Sequence, residues 1–221
     1  MVAWLGAWAA AWHWWILAAA FLGASAWETM SPERPHDGSL GLHWIGNLAL
    51  AALCALLAGQ VHPWQSWLAP ATEPRGAFAV AALWGGEPAV LLPGILLLDL
   101  YAYASHRLQH AVFPLWRLHA VHHSDEQVNA STAVRHHLAI FVANGAAGAC
   151  LEGALGLPLW VLPIYGALST ASNVVSHMNA RLPRRAEAVL QRVLVTPQMH
   201  RLHHSDDPAH YGSNFGNLLA I

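Results

Sequence analysis

Apolar stretches long enough to cross a bilayer leave few folds open to this chain. Three of them cover residues 3–27, 40–61 and 89–105, and each is close to the roughly 20 residues that a spanning helix needs. Two further runs, 138–155 and 157–172, meet at a Gly-Leu-Pro turn and predict either a hairpin that crosses and returns or a shallower re-entrant pair. Only 10% of the residues are charged, against about 25% in a typical soluble domain. The sequence therefore predicts an all-α integral membrane helical bundle of about four or five spans.

The arginines indicate which side of the membrane the polar segments occupy. All ten basic residues are Arg, and eight of them lie in segments 106–137 and 173–221. Cytoplasmic loops of membrane proteins carry an excess of positive charge, so both segments are expected in the cytoplasm as a histidine-rich helical cap. A composition rich in Ala, Trp and Arg, without Lys, fits a protein of the bacterial inner membrane. The net charge of -2 argues against a nucleic-acid partner, which would usually need a basic stripe.

Nine of the sixteen histidines fall into four short motifs. These are HRLQH at 106–110, HAVHH at 119–123, the single His177, and HRLHH at 200–204. Residues three and four apart on a helix share a face, so the imidazoles of each motif are expected to converge on one point. Imidazole is a ligand for Zn, Cu, Fe and Ni.

The number of imidazoles indicates two metal ions. A structural zinc site takes four ligands, whereas nine donors suffice for two ions at four or five ligands each. An all-nitrogen shell around two ions is more typical of redox chemistry than of a structural site. The motifs flank the apolar stretches, so the metal centre is expected at the membrane surface.

The longest histidine-bearing passage is DLYAYASHRLQHAVFPLWRLHAVHHS at 99–124, followed by STAVRHHL, SHMNARLP, VTPQMHRLHHS and NFGNLLAI. In these passages the sequence resembles the fatty acid hydroxylase superfamily, which includes the sterol desaturases, over roughly residues 90–221. The resemblance implies a membrane enzyme with two histidine-bound iron ions, which uses O2 and two electrons to hydroxylate or desaturate a lipid C–H bond. The implied metal ligands are His106, His110, His119, His122, His123, His177, His200, His203 and His204.

The resemblance adds two further site residues. Some members have a second histidine where this chain has Asn173, which is a candidate weak ligand. Members often have His-Pro after an arginine, whereas here Arg135 is followed by His136 and His137, and the Pro is missing. We expect His137 to lie beside the metal ligands or on the substrate side.

An acidic residue inside an apolar stretch is a functional candidate by default, and Asp99 is such a residue. It precedes His106 by seven residues and shares its helical face. Metal-bound histidines usually donate their second N–H to a carboxylate or a carbonyl. The sequence therefore predicts that Asp99 orients a ligand histidine.

Two regions are expected, an N-terminal membrane hairpin and loop at 1–88 and a hydroxylase-like catalytic domain at 89–221. Members of the superfamily continue past the position of Ile221 with an aromatic segment, which implies a truncated C-terminus. The sequence has no CxxCH haem site, no GxGxxG fingerprint and no iron–sulfur cysteine set. We therefore expect the electrons to come from a separate reductase, ferredoxin or cytochrome.

Other classes of protein share part of this pattern. Carotenoid hydroxylases use similar histidine motifs, so a carotenoid-type substrate stays open. A membrane zinc hydrolase would need a carboxylate base as in HExxH, and the sequence has no such motif. A metal transporter or metal-storing protein would place its ligands in the middle of the spans. Zinc in a purified sample would not exclude iron, because Zn2+ binds imidazole more tightly than Fe2+ does.

Overall fold

A computed structural model gives the architecture of the chain and describes residues 3–36, 38–68, 76–158, 160–207 and 209–221. The regular structure in these ranges is helical, apart from isolated backbone bridges that pair Pro32 with Ala180 and Leu194 with Leu219. The predicted all-α fold is therefore confirmed. The α-helices are α1 (Ala3–Met30), α2 (Leu40–Leu68), α3 (Gly76–Ala111), α4 (Phe113–His123), α5 (Leu138–Leu155), α6 (Val161–His177), α7 (Arg184–Leu190) and α8 (Pro197–His203), with a short 3₁₀ helix at Ala130–Val134.

Four helices of the described part are long and apolar enough to cross a membrane: Gly6–Met30, Leu40–Leu57, Pro88–Ala111 and Leu138–Leu155. Their outer faces carry large apolar side chains, and Trp14 and Trp15 of α1 are 69% and 68% exposed. So much exposed apolar surface is typical of a face that meets lipid. With 17 residues, α6 is shorter than these helices, and it packs along α1 and the 3₁₀ helix.

A kink divides α3 into an irregular first part and the apolar helix that leads to the histidines. Gly86 has a φ of 65°, a left-handed conformation that glycine adopts without a steric penalty. The expected boundary between residues 88 and 89 falls just after this kink, and the division into two regions stays a prediction. Farther along, Gly94 lets α6 approach closely, because a Cβ there would lie 3.0 Å from the Cγ1 of Val161.

The polar cap is fixed to α1 by a small apolar core and one buried carboxylate. Ala24 of α1 packs in a buried cluster with Ala130 of the 3₁₀ helix and Val174 of α6. About one turn after Ala24, the carboxylate of Glu28 accepts hydrogen bonds from the backbone N–H groups of Ala130 and Asn179, at 3.1 and 2.9 Å. The end of α6 and the 3₁₀ helix are thereby held over the end of the first spanning helix.

Candidate metal centre

The four histidine motifs come from helix ends that meet in one place. HRLQH lies near the end of α3, and HAVHH occupies the last turn of α4. His177 is the last residue of α6, and HRLHH runs along α8 to the residue that follows it. Because α3 packs against both α4 and α6, and α6 packs against α8, the four ends come together.

The imidazoles of these motifs form two groups, within each of which one ring nitrogen per residue lies within 4.8 Å of the others. The sequence predicted four or five ligands for each of two ions, and the structure brings the donors together as five and four. The five-His group consists of His106, His110, His119, His123 and His203. The four-His group consists of His122, His177, His200 and His204.

Each HxxHH motif is divided between the two groups, which corrects the expectation that its three imidazoles converge on one point. In α4, His119 and His123 belong to the five-His group and His122 belongs to the four-His group. Adjacent residues on a helix point about 100° apart, whereas residues four apart share a face. The motif in α8 is divided the other way, with its first and last histidines in the four-His group and the middle one in the five-His group. Each motif therefore contributes imidazoles to both groups.

In the five-His group, two imidazoles point nitrogen lone pairs at each other. His106 and His203 donate through Nδ1 to the carbonyl oxygens of Phe215 and Ser213, at 3.1 and 2.8 Å. A carbonyl only accepts hydrogen bonds, so each Nδ1 carries the proton and each Nε2 of the neutral ring carries a lone pair. The two Nε2 atoms lie 3.0 Å apart, which leaves them no hydrogen bond to each other.

The four-His group has the same arrangement. His122 and His177 donate through Nδ1 to the carbonyl oxygens of Arg135 and Asn173, at 3.1 and 2.6 Å. Their Nε2 atoms lie 3.1 Å apart. When two nitrogen ligands each lie about 2.1 Å from one ion, and the angle between them at the ion is about 90°, the two nitrogens are about 3.0 Å apart. A cation between the two lone pairs would remove their repulsion in both groups.

Burial keeps the imidazoles in the form that binds metals. It lowers the pKa of His177 to about 3 and the pKa of His203 to about 4. The pKa values of His122 and His200 lie well below the usual range because both rings are buried and positive charge on neighbouring imidazoles would repel a second one. Neutral imidazole is the ligand form, so neither group needs to lose protons before it takes up an ion.

Further ring nitrogens are buried without a hydrogen-bond partner in the described part of the chain. They are Nδ1 of His110, Nε2 of His119, Nδ1 of His200 and both ring nitrogens of His204. A buried polar atom without a partner is costly. The histidines present therefore fit two divalent cations, one in each group.

Arg135 supports the four-His group, and sequence reasoning did not select it as a site residue. Its carbonyl oxygen accepts from His122, and its guanidinium donates to the carbonyl of Val121, to Asn47 and to Ser124 at 2.8, 2.9 and 3.0 Å. These bonds fix the backbone of Arg135 relative to α2 and α4. The only signal in the sequence was its place two residues before His137.

The three other candidates lie outside both groups. The side-chain amide of Asn173 donates to Ser169 and Asn217, and the carbonyl of Asn173 accepts from His177. His137 precedes α5 and caps it, with Nδ1 accepting from the N–H of Ala139 at 3.0 Å. The residue before His137 lies closer to the ligands, since the ring of His136 stacks on His122 with centroids 4.9 Å apart.

Asp99 is fully buried, and the structure places its carboxylate against the C-terminal segment. It accepts from the backbone N–H groups of Leu218 and Leu219, both at 3.0 Å, and from the hydroxyl of Tyr165 at 3.2 Å. Its hydrogen bonds in the described ranges thus go to groups other than imidazoles. The predicted orientation of a histidine by Asp99 would therefore be indirect.

A cleft of about 460 Å³ opens beside the five-His group. Its lining includes His110, the aromatic rings of Tyr103, Tyr211 and Phe215, and the exposed Arg107. Because Tyr103, Arg107 and His110 belong to the spanning helix α3, the cleft lies at the end of a membrane span. It gives a bound molecule access to the five-His group.

Comparison with known proteins gives a consistent result. The sequence model described as "Fatty acid hydroxylase" matches residues 91–221. The chain is 31% identical over 128 residues to ornithine lipid hydroxylase OlsE of Rhizobium tropici, a match that covers 58% of this chain and 38% of that protein. It is 31% identical over 123 residues to alkylglycerol monooxygenase of Caenorhabditis elegans, covering 56% of this chain and 23% of that protein. The corresponding enzyme of Danio rerio is 29% identical, with 56% and 26% covered.

The chain thus spans well under half the length of these curated relatives. No solved structure matches it significantly.

Proposed function

The chain belongs to the fatty acid hydroxylase family, and we propose that it is a membrane-bound di-iron oxygenase that hydroxylates a lipid. The observation that carries this proposal is the pair of opposed Nε2 lone pairs in each histidine group, 3.0 and 3.1 Å apart. The five-His group would hold one ion and the four-His group the other. With iron bound, the centre would supply the oxidising power to break a C–H bond with O2, one oxygen atom becoming the hydroxyl group and the other leaving as water.

Several residues around the metal centre would hold the reactants in place. The cleft beside His110 would admit the lipid, and α3 connects this cleft to the bilayer. The rings of Trp116 and Tyr211 lie against His110, with centroids 5.0 and 6.4 Å from its own. They would shield the reacting carbon from water. Arg107, at the rim of the cleft, donates to the hydroxyl of Tyr103 at 3.2 Å and stays exposed to a polar headgroup.

Hydroxylation is favoured over desaturation by the relatives, which are named as a lipid hydroxylase and as monooxygenases. Such a reaction consumes two electrons and two protons besides O2. We propose that a separate reductase, ferredoxin or cytochrome delivers the electrons, since the sequence lacks the motifs of a bound redox cofactor. The arginines favour a cytoplasmic position for the centre in a bacterial inner membrane.

The test uses the full chain produced in cells with and without added iron. Membranes are incubated with ¹⁸O2 and an electron donor, and the extracted lipids, including carotenoids, are compared by mass spectrometry. We expect a lipid that gains one hydroxyl group labelled with ¹⁸O, and two irons per purified chain. A labelled carotenoid would identify the carotenoid-type substrate as the correct one.

Controls separate oxygenase activity from simple metal binding. Incubation without O2, and protein loaded with zinc only, should both give unlabelled lipids. One zinc per chain, with no lipid changed by the iron-loaded protein, would overturn the proposal and favour a non-redox zinc protein.

A further inference from the structure

The side chain of Asp99, in a membrane-spanning helix, is satisfied by hydrogen bonds from neutral groups. A buried carboxylate is usually paired with a cation or satisfied by several hydrogen bonds. Its donors within 3.2 Å are the N–H groups of Leu218 and Leu219 and the hydroxyl of Tyr165. All three donors are neutral, and two of them belong to the backbone of one segment. Asp99 thus connects α3 to residues 213–219, which we name the carbonyl segment.

The carbonyl segment carries the two acceptors of the five-His group. The carbonyl oxygen of Ser213 accepts from His203, and that of Phe215 accepts from His106. Between them, Asn214 has a φ of 57°, a left-handed conformation that asparagine tolerates better than most residues. This turn directs the carbonyl groups on both sides of it toward imidazoles.

The carbonyl segment is attached to α3 at two places. The carbonyl oxygen of Phe215 accepts from His106, and the N–H groups of Leu218 and Leu219 donate to Asp99. Asp99 and His106 are seven residues apart, which is about 10.5 Å along a helix. The segment therefore contacts α3 both at the ligand histidine and about two turns before it.

In the four-His group, the carbonyl that accepts from His177 needs no anchor such as Asp99. It is the carbonyl of Asn173, four residues earlier in α6, so the helix itself fixes its position. The carbonyl segment lies outside the helices, and its position depends on its contacts. Leu218 and Ala220 also pair with Val195 and Val193, at 3.1 and 3.0 Å, which connects the segment to the residues before α8. Asp99 provides the connection to α3, the helix that bears His106.

We propose that Asp99 is a positioning residue, which holds the carbonyl segment so that Ser213 and Phe215 orient His203 and His106 toward the metal of the five-His group. This assignment rests on the proposed function, because it assumes that the group binds a metal ion. Loss of a partner that orients a ligand histidine typically lowers metal affinity by about 10- to 100-fold. The effect should be confined to the five-His group.

Two parent variants isolate the two groups. In the first, His200→Ala and His204→Ala remove half of the four-His group and leave the five-His group complete. In the second, His110→Ala, His119→Ala and His123→Ala leave two imidazoles in the five-His group and keep the four-His group complete. Each full-length parent is purified in detergent without metal and titrated with Co2+, whose visible spectrum reports the number and geometry of its ligands.

Asp99→Asn is then introduced into both parents. Asparagine keeps the size of the side chain but turns an amide group toward one backbone N–H, so at least one hydrogen bond to the segment is lost. We expect Co2+ affinity to fall about 10- to 100-fold in the first parent, with an altered spectrum. In the second parent the affinity should change by less than about threefold.

Glu28→Gln is the matched control, since Glu28 also accepts from two backbone N–H groups, those of Ala130 and Asn179. Neither of these residues provides a carbonyl to an imidazole in the hydrogen bonds described above. Glu28→Gln should leave the Co2+ affinity of both parents within about threefold of its starting value. If Asp99→Asn fails to fold, Tyr165→Phe removes one donor and keeps both backbone bonds, and it should weaken Co2+ binding in the first parent alone.

Equal weakening of both parents by Asp99→Asn, or no weakening in either, would overturn the role of Asp99. Failure of both parents to bind Co2+ would overturn the proposed metal centre, and this assignment with it. Cobalt binding with the expected pattern, in a protein that leaves lipids unlabelled, would overturn only the proposed hydroxylation.

Discussion

The two histidine groups have similar donors but differ in how they are enclosed and supported. In the five-His group His106, His110 and His123 are half-buried, whereas only His204 is half-buried in the four-His group. The cleft reaches the five-His group through His110. The four-His group is thus the more enclosed of the two. Under the proposed function, a lipid would approach the five-His group, while the four-His group would hold an ion away from the surface.

The two groups also differ in the residues whose carbonyl oxygens accept hydrogen bonds from their imidazoles. The four-His group takes its carbonyl acceptors from Arg135, which its own side chain fixes, and from Asn173 inside α6. The five-His group takes them from Ser213 and Phe215 in an irregular segment. Similar sets of ligands are therefore supported in one group by a helix and an arginine held between α2 and α4, and in the other by an irregular segment held by Asp99.

Loss of a single ligand histidine should cause the largest fall in lipid hydroxylation. The fall should be similar whichever of the two groups loses the ligand. His119→Ala and His122→Ala each take one imidazole from a different group. Because the proposed reaction needs both ions, either substitution should lower lipid hydroxylation by more than about 100-fold, beyond the effect of losing an orienting partner. Metal content should fall toward one ion per chain in each variant. Turnover and metal content of the purified proteins are measured together.

His210→Ala is the control for these substitutions. His210 is half-exposed, lies outside both groups and faces Asp207 at 3.7 Å. Its loss should leave turnover and metal content unchanged. Full activity in either ligand variant would contradict a centre that needs both groups.

Acid should destabilise both groups of the metal-free protein. Burial lowers the pKa of His177 to about 3 and that of His203 to about 4, whereas an unfolded histidine titrates near 6.5. Between pH 6.5 and 4 the unfolded chain therefore binds more protons than the folded one, and stability falls as the pH falls. The midpoint of thermal unfolding in detergent should drop steadily from pH 7 to pH 4.5.

Above pH 7.5 the histidines of the folded and unfolded states are all neutral, so they should no longer make the midpoint of thermal unfolding depend on pH. A midpoint that stays constant down to pH 4.5 would contradict the burial of neutral imidazoles. Replacement of His177 by Gln, or of His203 by Gln, should reduce the slope in each case, which tests the contribution of one residue from each group.

The apolar stretches were enough to predict the helical membrane fold, because length and hydropathy alone decide whether a helix can span. They were less informative for 157–172, where α6 begins only at Val161 and extends to His177. Spacing identified the histidines that come together, since side chains four apart share a helical face. It did not show that each HxxHH motif serves both groups, because that depends on how α4 and α8 face their neighbours.

The supporting residues were harder to predict. Asp99 was selected as a buried charge, but its partners lie 119 and 120 residues away. Such a contact leaves no periodic pattern in a single sequence. Arg135 was passed over for the same reason, since its role depends on Asn47 of α2, 88 residues away.

Arg135→Lys should weaken the four-His group and spare the five-His group. Lysine keeps the charge but cannot direct hydrogen bonds to three acceptors in fixed directions as a guanidinium does. The carbonyl that orients His122 should then move, and Co2+ affinity of the four-His group should fall about tenfold or more. The measurement is a Co2+ titration in the parent that lacks His110, His119 and His123.

Arg117→Lys is the matched control, because Arg117 is an exposed residue of the same helix as His122. It should leave Co2+ binding unchanged in both parents. Weakening of the five-His group by Arg135→Lys would show that the two supports are not independent.

Asn214→Ala should have the smallest effect, and it should fall on the five-His group alone. The left-handed conformation costs alanine about 1–2 kcal/mol, so the turn between Ser213 and Phe215 should open part of the time. Since about 1.4 kcal/mol corresponds to a factor of ten in an equilibrium constant, this cost limits the fall in Co2+ affinity of the five-His group to about 5- to 30-fold. We expect a value near the lower limit, because asparagine also bears part of the cost of a left-handed conformation. Asn214→Gly permits the same φ but also loses the hydrogen bond to the carbonyl of Met199. If glycine preserves Co2+ binding where alanine weakens it, the backbone conformation orients His106 and His203, whereas equal weakening would assign this role to the asparagine side chain.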